Sequence, residues 1–298
     1  MIPTATNGYR SGEIIDIHCN WGGATAALTH GWEDTARAGE TLQARGVRFA
    51  FVVSEAARHF DSIAGNEEID ALTRAEPGLR GWFVAHAARA QAAHAQMRHL
   101  LYQSRWAGCA LYPDPITGRP VTLEDFHEIV NAYRRFGKPL YIATPDADAA
   151  RHAAQIAREM SPMRVILGGM GGADWRETTD LCVNSPGLFV DISGELAPEK
   201  IEYALQALHG ARKILFASNA PHTDPAAVIG LLDDLDLSPE DRARILGGSA
   251  ARLFQLEEAV QTAGPDLRPF GEPEGEPEPE ENFPRLATLD LDEAPATE

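Results

Sequence analysis

Short apolar runs alternate along the chain with longer amphipathic stretches, and this alternation predicts a repeated strand and helix unit. The apolar runs are rich in β-branched and aromatic residues, as buried strands are. Their mean spacing is about 28 residues, the length of one strand–loop–helix–loop unit. The eight predicted strands begin at Ile14, Val47, Leu79, Ala107, Lys138, Arg164, Leu188 and Lys213.

Amphipathic periodicity predicts a helix after every strand. The predicted helices are Glu33 to Arg45, Glu67 to Glu76, Ala88 to Gln103, Leu123 to Phe136, Asp148 to Met160, Arg176 to Asn184, Pro198 to Leu208 and Pro225 to Leu232. We predict one or two short helices at residues 238 to 256, packed against the barrel after the last strand and helix. Eight parallel strands, each followed by a helix, predict an α/β fold of the (β/α)8 TIM-barrel type. A doubly wound open sheet is the competing fold, but no glycine-rich phosphate turn follows the first strand.

The first predicted strand, IIDIHCNWGG, ends in polar groups. Ile14, Ile15 and Ile17 form its apolar part, and the Trp-Gly-Gly that follows stops it. The strand therefore delivers Asp16, His18 and Asn20 to its carboxyl end. Parallel α/β folds place their chemistry at that end.

Composition indicates one globular domain. Of the 298 residues, 44% are hydrophobic and 23% are charged, and we assign residues 1–262 to the barrel. No apolar run is long enough for a membrane span, and the N-terminus lacks the pattern of a signal peptide, so we expect a cytoplasmic protein. The three cysteines are widely spaced, which predicts reduced, buried thiols rather than disulfides or a metal knuckle.

The negative charge is concentrated near the C-terminus. The net charge is -18, and residues 263–298 hold 11 acidic and 2 basic residues with 7 of the 20 prolines. This composition predicts a disordered acidic tail, either a solubilising extension or a docking segment for a basic partner. We expect no nucleic-acid partner, since no basic cluster is present to meet phosphates, and no membrane partner.

Residues just beyond the strands are the candidates for chemistry. We expect His18, Asn219 and His222 to be the catalytic candidates. We expect a ligand pocket to be lined by Asn20, Trp21, His86, Tyr112, Tyr141 and Thr144. Ser193, Glu195 and Ser218 lie at other strand ends, but no nucleophile elbow of the G-x-S-x-G type is present.

Six segments occur in the order of a known family: IIDIHCN, GKPLYIATP, RVILGGMGGADW, LFVDISG, KILFASNAPH and ILGGSAARLF. From about residue 14 to about residue 256, the chain resembles the amidohydrolase-related branch of the amidohydrolase superfamily. Members of this superfamily are metal-dependent TIM-barrel hydrolases and decarboxylases. The resemblance implies a His-x-His pair after strand one, a histidine after strands five and six, and an aspartate after strand eight. Together these residues hold one or two divalent metals, usually zinc.

Only one of these five positions is kept, as His18. The other four are occupied by Asn20, Ala143, Gly169 and Asn219. A catalytic zinc needs about three protein ligands, and alanine and glycine supply none. The two asparagines offer only neutral oxygens, and an amide is not a useful base near neutral pH. We therefore expect no metal cofactor, unless zinc binds a rebuilt site of His18, His86 and His222 with Asp114 or Asp146.

Two hypotheses about function follow from this. The first is a pseudoenzyme that has lost the metal-dependent hydrolase activity and acts as a small-molecule-binding or partner subunit. It would form a homodimer, or a heterodimer with an intact paralogue. The second is an active hydrolase or decarboxylase on a small organic acid or amide, with a rearranged or metal-free site and His18 or His222 as the general base.

Overall fold

The computed structural model describes residues 13–22, 35–194 and 196–256. The predicted acidic tail, Glu195 and the start of the first predicted helix lie outside these residues. Eight strands form one sheet in sequence order. They are β1 (Ile14–Trp21), β2 (Val47–Ser54), β3 (Leu79–Val84), β4 (Trp106–Leu111), β5 (Leu140–Ala143), β6 (Val165–Gly168), β7 (Leu188–Asp191) and β8 (Ile214–Leu215).

The sheet closes on itself between β8 and β1. All seven neighbouring strand pairs are parallel. Across the closure, the amide of Ile17 donates to the carbonyl of Phe216 at 3.0 Å, and Cys19 forms a parallel bridge with Ala220. This closure, with helices between the strands, confirms the predicted (β/α)8 barrel over the open sheet.

Helices lie between the strands on the outside of the barrel. They are α1 (Thr35–Ala44), α2 (Glu55–His59), α3 (Ser62–Ala75), α4 (Ala90–Leu100), α5 (Leu123–Tyr133), α6 (Ala147–Glu159), α7 (Trp175–Val183), α8 (Pro198–Ala207) and α9 (Pro225–Asp233). The closing segment forms α10 (Pro239–Ala243), a π-helical turn (Arg244–Gly248) and α11 (Ser249–Leu253). Most predicted helices agree with these bounds to within a few residues.

The helix predicted at Glu67 to Glu76 is wrong in its bounds, because two helices follow β2. Ser54 caps α2 by accepting a hydrogen bond from the amide of Ala57 at 3.2 Å. Asp61 caps α3 by accepting from the amide of Ile63 at 2.9 Å. Both caps satisfy amides that a helix leaves unpaired at its start. Periodicity alone misses α2, since a five-residue helix is too short for a repeating pattern.

A column of aromatic rings fills the barrel interior. Phe254, which directly follows α11, packs edge-on against Trp82 with ring centroids 5.7 Å apart. Trp82 contacts Tyr141 at 5.5 Å, and Tyr141 contacts His18 at 4.8 Å. The interior is therefore packed with side chains up to the carboxyl ends of the strands, where His18 lies.

Two further predictions concern the chain as a whole. Cys19, Cys109 and Cys182 are free and buried, as expected, and burial raises the pKa of each thiol. None of the helices in the described part of the chain is long and apolar enough to cross a membrane.

Candidate functional site

A register shift in β1 turns His18 into the barrel. The pairing of β1 with β2 is irregular between Asp16 and Cys19. Regular alternation would put neighbouring side chains on opposite faces, yet Ile17 belongs to the interior cluster and His18 stacks on Tyr141 of that same cluster. Cys19 belongs to the outer cluster. The irregularity thus brings His18 to the mouth of the barrel.

Asp16 joins the ends of β1 and β8. Its Oδ1 accepts hydrogen bonds from the amides of His18 at 3.2 Å and Ser218 at 3.0 Å, and its Oδ2 accepts from the Ser218 hydroxyl. The carboxyl is fully buried, and burial raises its pKa to about 6 against the lowering effect of these hydrogen bonds. Asp16 therefore has a positioning role beneath the mouth.

His18 is buried and uncharged at neutral pH. Its ring stacks on Tyr141 with an angle of 18° between the planes, and its Nε2 lies 2.9 Å from the Tyr112 hydroxyl. Burial, together with the positive charge of Arg58, lowers its pKa to about 3. Its Nδ1 is buried and has no hydrogen-bond partner among the described residues. An unpaired buried nitrogen of this kind is a place for a ligand atom.

The two asparagines of the family's ligand positions bind each other. Asn20 Nδ2 donates to Asn219 Oδ1 at 2.9 Å. Asn219 has a φ of 61°, in the left-handed region that asparagine tolerates better than most residues. The structure thus brings His18, Asn20, Tyr112, Tyr141 and Asn219 together, five of the residues selected from the sequence.

Arg58 on α2 completes this group, and the sequence reasoning missed it. Its Nη1 donates to Asn20 Oδ1 at 2.8 Å and to Glu55 Oε1 at 2.6 Å. Its Cζ lies 4.4 Å from the centroid of the Tyr112 ring, a cation–π geometry. The signal was present in the stretch SEAARH, which directly follows β2. None of the candidates predicted from the sequence follows this strand.

Asp191 at the end of β7 was also missed. Its Oδ1 accepts hydrogen bonds from the amides of Gly169 at 2.8 Å and Ser193 at 3.1 Å, while its Oδ2 is buried and has no hydrogen-bond partner among the residues that the structure describes. Burial raises its pKa. The hydrogen bonds show that Asp191 ties the end of β6 to the end of β7.

The side chains of His86 and Thr144 have partners outside this group. His86 Nε2 lies 2.8 Å from the carbonyl of Ala57, and Thr144 Oγ1 donates to the carbonyl of Gly168 at 2.9 Å. Both side chains therefore brace the backbone. His222 is exposed, and its backbone amide donates to the carbonyl of Asn219 at 3.1 Å.

Trp21 belongs to a neighbouring polar network. Its Nε1 donates to Glu68 Oε1 at 3.0 Å, and Ser54 Oγ donates to Glu68 Oε2 at 2.9 Å. Glu68 thus links the end of β1 to the end of β2, and it too was missed in the sequence.

The residues present do not fit the family's metal. Among the described residues, no group of three histidine, cysteine, aspartate or glutamate side chains could hold a metal ion. The residues of the rebuilt zinc site have other partners in that part of the chain, and His86 braces α2. The carboxyl of Asp114 accepts hydrogen bonds from backbone amides of its own turn, and the carboxyl of Asp146 caps α6.

Tyr141 also occupies space beside the former ligand position on β6. A Cβ placed on Gly168 would lie 2.2 Å from the Tyr141 hydroxyl. The next residue, Gly169, has a φ of 75°, which disfavours any larger side chain. A histidine after β6 is therefore opposed both by packing and by backbone conformation.

An eight-stranded α/β barrel with its polar cluster at the carboxyl ends of the strands defines the class as a TIM-barrel protein with a candidate site at the mouth. The particular family follows from the sequence match. The model of the amidohydrolase family matches residues 15–256, and the chain belongs to that family.

Solved structures with the same fold share little sequence with this chain. The 2,6-dihydroxybenzoate decarboxylase from Rhizobium has a TM-score of 0.67 at 14% identity, and the match covers 82% of this chain and 99% of that one. A dihydroxybenzoic acid decarboxylase from a Polaromonas species, with bound manganese and the inhibitor 2-nitroresorcinol, has a TM-score of 0.65 at 15% identity, over 82% and 97%. The 4-oxalomesaconate hydratase from Rhodopseudomonas palustris has a TM-score of 0.60 at 16% identity, over 81% and 95%. None of the curated proteins matches the sequence.

Proposed function

We propose that this protein is an enzyme that acts on a small aromatic organic acid at the mouth of its barrel, without the family's metal. The observation that carries the proposal is the position of Arg58. Its guanidinium lies over the Tyr112 ring and donates a hydrogen bond to Asn20. A guanidinium beside stacked rings suits a ligand that has both a carboxylate and an aromatic ring.

The chemistry of the mouth supports an acid as the ligand. His18, Tyr112 and Tyr141 supply aromatic surface, and Asn20 and Asn219 supply neutral amide groups. Sites for small molecules typically combine such apolar walls with a few convergent polar groups. The unpaired His18 Nδ1 adds one more polar atom for the ligand.

Decarboxylation is the reaction class to test first, because several solved structures of the same fold are decarboxylases of hydroxybenzoates. In such a reaction Arg58 would hold the carboxylate and the rings would orient the aromatic body. Solvent would be excluded where the side chains are buried.

A pseudoenzyme that binds the same acid without turnover is the second candidate. Two observations favour it: the low pKa of His18, which leaves it a weak base, and the amide at Asn219. The similarity to decarboxylases and a hydratase favours the enzyme. The predicted dimer with itself or with a paralogue remains a prediction under either reading.

The experiment is a paired measurement of binding and turnover in chelator. Tag-free protein is titrated with 2,6-dihydroxybenzoate by calorimetry, and release of carbon dioxide is followed in parallel. Binding with turnover supports the enzyme, and binding alone supports the pseudoenzyme. If neither this acid nor other hydroxybenzoates bind, the proposal is wrong. His94→Gln on α4 is the control for loss of a histidine away from the mouth.

A further inference from the structure

We infer that the Arg58 guanidinium stands in the place of the family's divalent metal and supplies the fixed positive charge of the site. The inference deepens the proposed function and partly rests on it. It concerns three polar side chains that meet in the mouth: Arg58, Asn20 and Asn219.

The first argument is position. Asn20 and Asn219 occupy two of the family's ligand positions, and Arg58 donates to Asn20 at 2.8 Å while Asn20 donates to Asn219 at 2.9 Å. The guanidinium is therefore bound directly to one residue at a ligand position, Asn20, and through it is linked to a second, Asn219.

The second argument is the change of charge at the ligand positions. A divalent cation is held by ligands with negative charge or strong lone pairs. A monovalent guanidinium needs hydrogen-bond acceptors instead, and a neutral amide oxygen such as Asn20 Oδ1 is one. Asn219 in place of the family's aspartate removes a negative charge, and Asn20 in place of its second histidine supplies the amide oxygen that accepts from the guanidinium.

The third argument is an unused edge of the guanidinium. Nη1 donates to Asn20 and Glu55, while Nε is buried and, within the part of the chain that the structure describes, has no partner. Nε and Nη2 form the edge that binds a carboxylate through two parallel hydrogen bonds. Among the described residues, Glu55 is the one carboxylate that forms an ion pair with Arg58, and it does so through Nη1 at 2.6 Å. The edge suits the carboxylate of a ligand.

The ligand test uses charge variants with a matched control. We expect Arg58→Met to weaken binding of 2,6-dihydroxybenzoate at least tenfold in chelator and Arg58→Lys to restore part of it. Glu55→Gln should strengthen binding, because it removes the competing carboxylate. Arg89→Met is the control, since Arg89 forms an ion pair at 2.9 Å with Asp61, the residue that caps α3. Resorcinol, which lacks the carboxylate, should not distinguish wild type from Arg58→Met.

The metal test does not need a ligand. Asn20→Asp with Asn219→Asp introduces two carboxylates beside His18 without a change in side-chain size, the second of them the family's own aspartate. We expect this double variant to bind Mn2+ at least tenfold more weakly than the same variant with Arg58→Met, in calorimetry on samples that melt cooperatively. Equal affinity with and without Arg58, or no binding in either, would overturn the inference.

The two tests separate the inference from the proposed function. If wild type binds no acid, the proposed function fails, while the metal test still decides the place of Arg58. If wild type and Arg58→Met bind the acid equally well, the proposed function stands and the inference is wrong.

Discussion

His18 and Tyr141 stack with ring centroids 4.8 Å apart, and the contact joins the candidate site to the aromatic column of the barrel. His18 comes from β1 and Tyr141 from β5, so the two residues meet across the barrel interior. The same imidazole is 2.9 Å from the Tyr112 hydroxyl of the segment that follows β4. This side of the mouth is therefore packed directly on the aromatic core of the barrel.

This stacking predicts a large effect of truncation at Tyr141. Tyr141→Ala removes a buried ring that touches both His18 and Trp82, and we expect it to lower the free energy of unfolding by about 3 to 5 kcal/mol. Tyr141→Phe keeps the ring and is the control, with a loss below about 2 kcal/mol. Urea denaturation measures both. Equal losses in the two variants would show that the hydroxyl, not the ring, carries the stability.

The close approach of Tyr141 to Gly168 predicts opposite effects at two glycines. Gly168→Ala places a Cβ 2.2 Å from the Tyr141 hydroxyl, and we expect it to destabilise the fold by about 2 kcal/mol or more. Gly230 lies within α9 with no atom within 4 Å of an added Cβ, so Gly230→Ala should stabilise by about 0.5 to 1 kcal/mol. Thermal melts of the two variants compare the signs, and a stable Gly168→Ala would contradict the packing described above.

The shifted pKa values predict the pH dependence of stability. For His18 the folded pKa of about 3 lies below the ordinary 6.5, so the unfolded chain takes up a proton first and stability falls as the pH drops from 6.5 towards 3. For Asp16 the folded pKa of about 6 lies above the ordinary 3.8, so the folded chain holds a proton longer and stability rises as the pH drops from 6 to 3.8. The pKa shift of His18 is larger than that of Asp16, so across the whole acid range the loss of stability from His18 exceeds the gain from Asp16.

His18→Gln separates these two effects. The variant removes the histidine contribution, so between about pH 6 and about pH 4.5 we expect its stability to increase, whereas that of wild type changes by less than about 1 kcal/mol, because the gain from Asp16 offsets most of the loss of about 2 kcal/mol from His18. Asp16→Asn should make the fall steeper than in wild type. Urea denaturation at several pH values measures the slopes. A His18→Gln slope equal to that of wild type would show that His18 is not buried and neutral in the fold.

The poor set of donors predicts metal-independent stability. Since His18 alone occupies a family ligand position with a metal-binding side chain, we expect dialysed wild type to hold far less than one zinc or manganese ion per chain. Added chelator should leave the melting temperature unchanged. Elemental analysis and a melt with and without chelator check this, and near-stoichiometric metal that resists dialysis would contradict it.

Much of the fold could be predicted from the sequence, because strand and helix patterns are local. The eight strand starts and most helices follow from hydrophobic periodicity, and the order of six segments indicates the family. The loss of four ligand side chains is likewise visible at the level of single residues. The two helices after β2 were not visible as such, since caps at Ser54 and Asp61, rather than periodicity, set their bounds.

The sequence by itself determined the barrel, the family and which residues occupy the positions where the family's pattern has metal ligands. Only the tertiary structure decided which side chains meet in the mouth. Arg58 lies there and donates to Asn20, and Asn20 in turn donates to Asn219, which follows the last strand of the sheet. His86 instead contacts the backbone of α2. The physical reason is that closure of the barrel and the irregular register of β1 bring together residues far apart in the chain. Local patterns carry no information about such pairs.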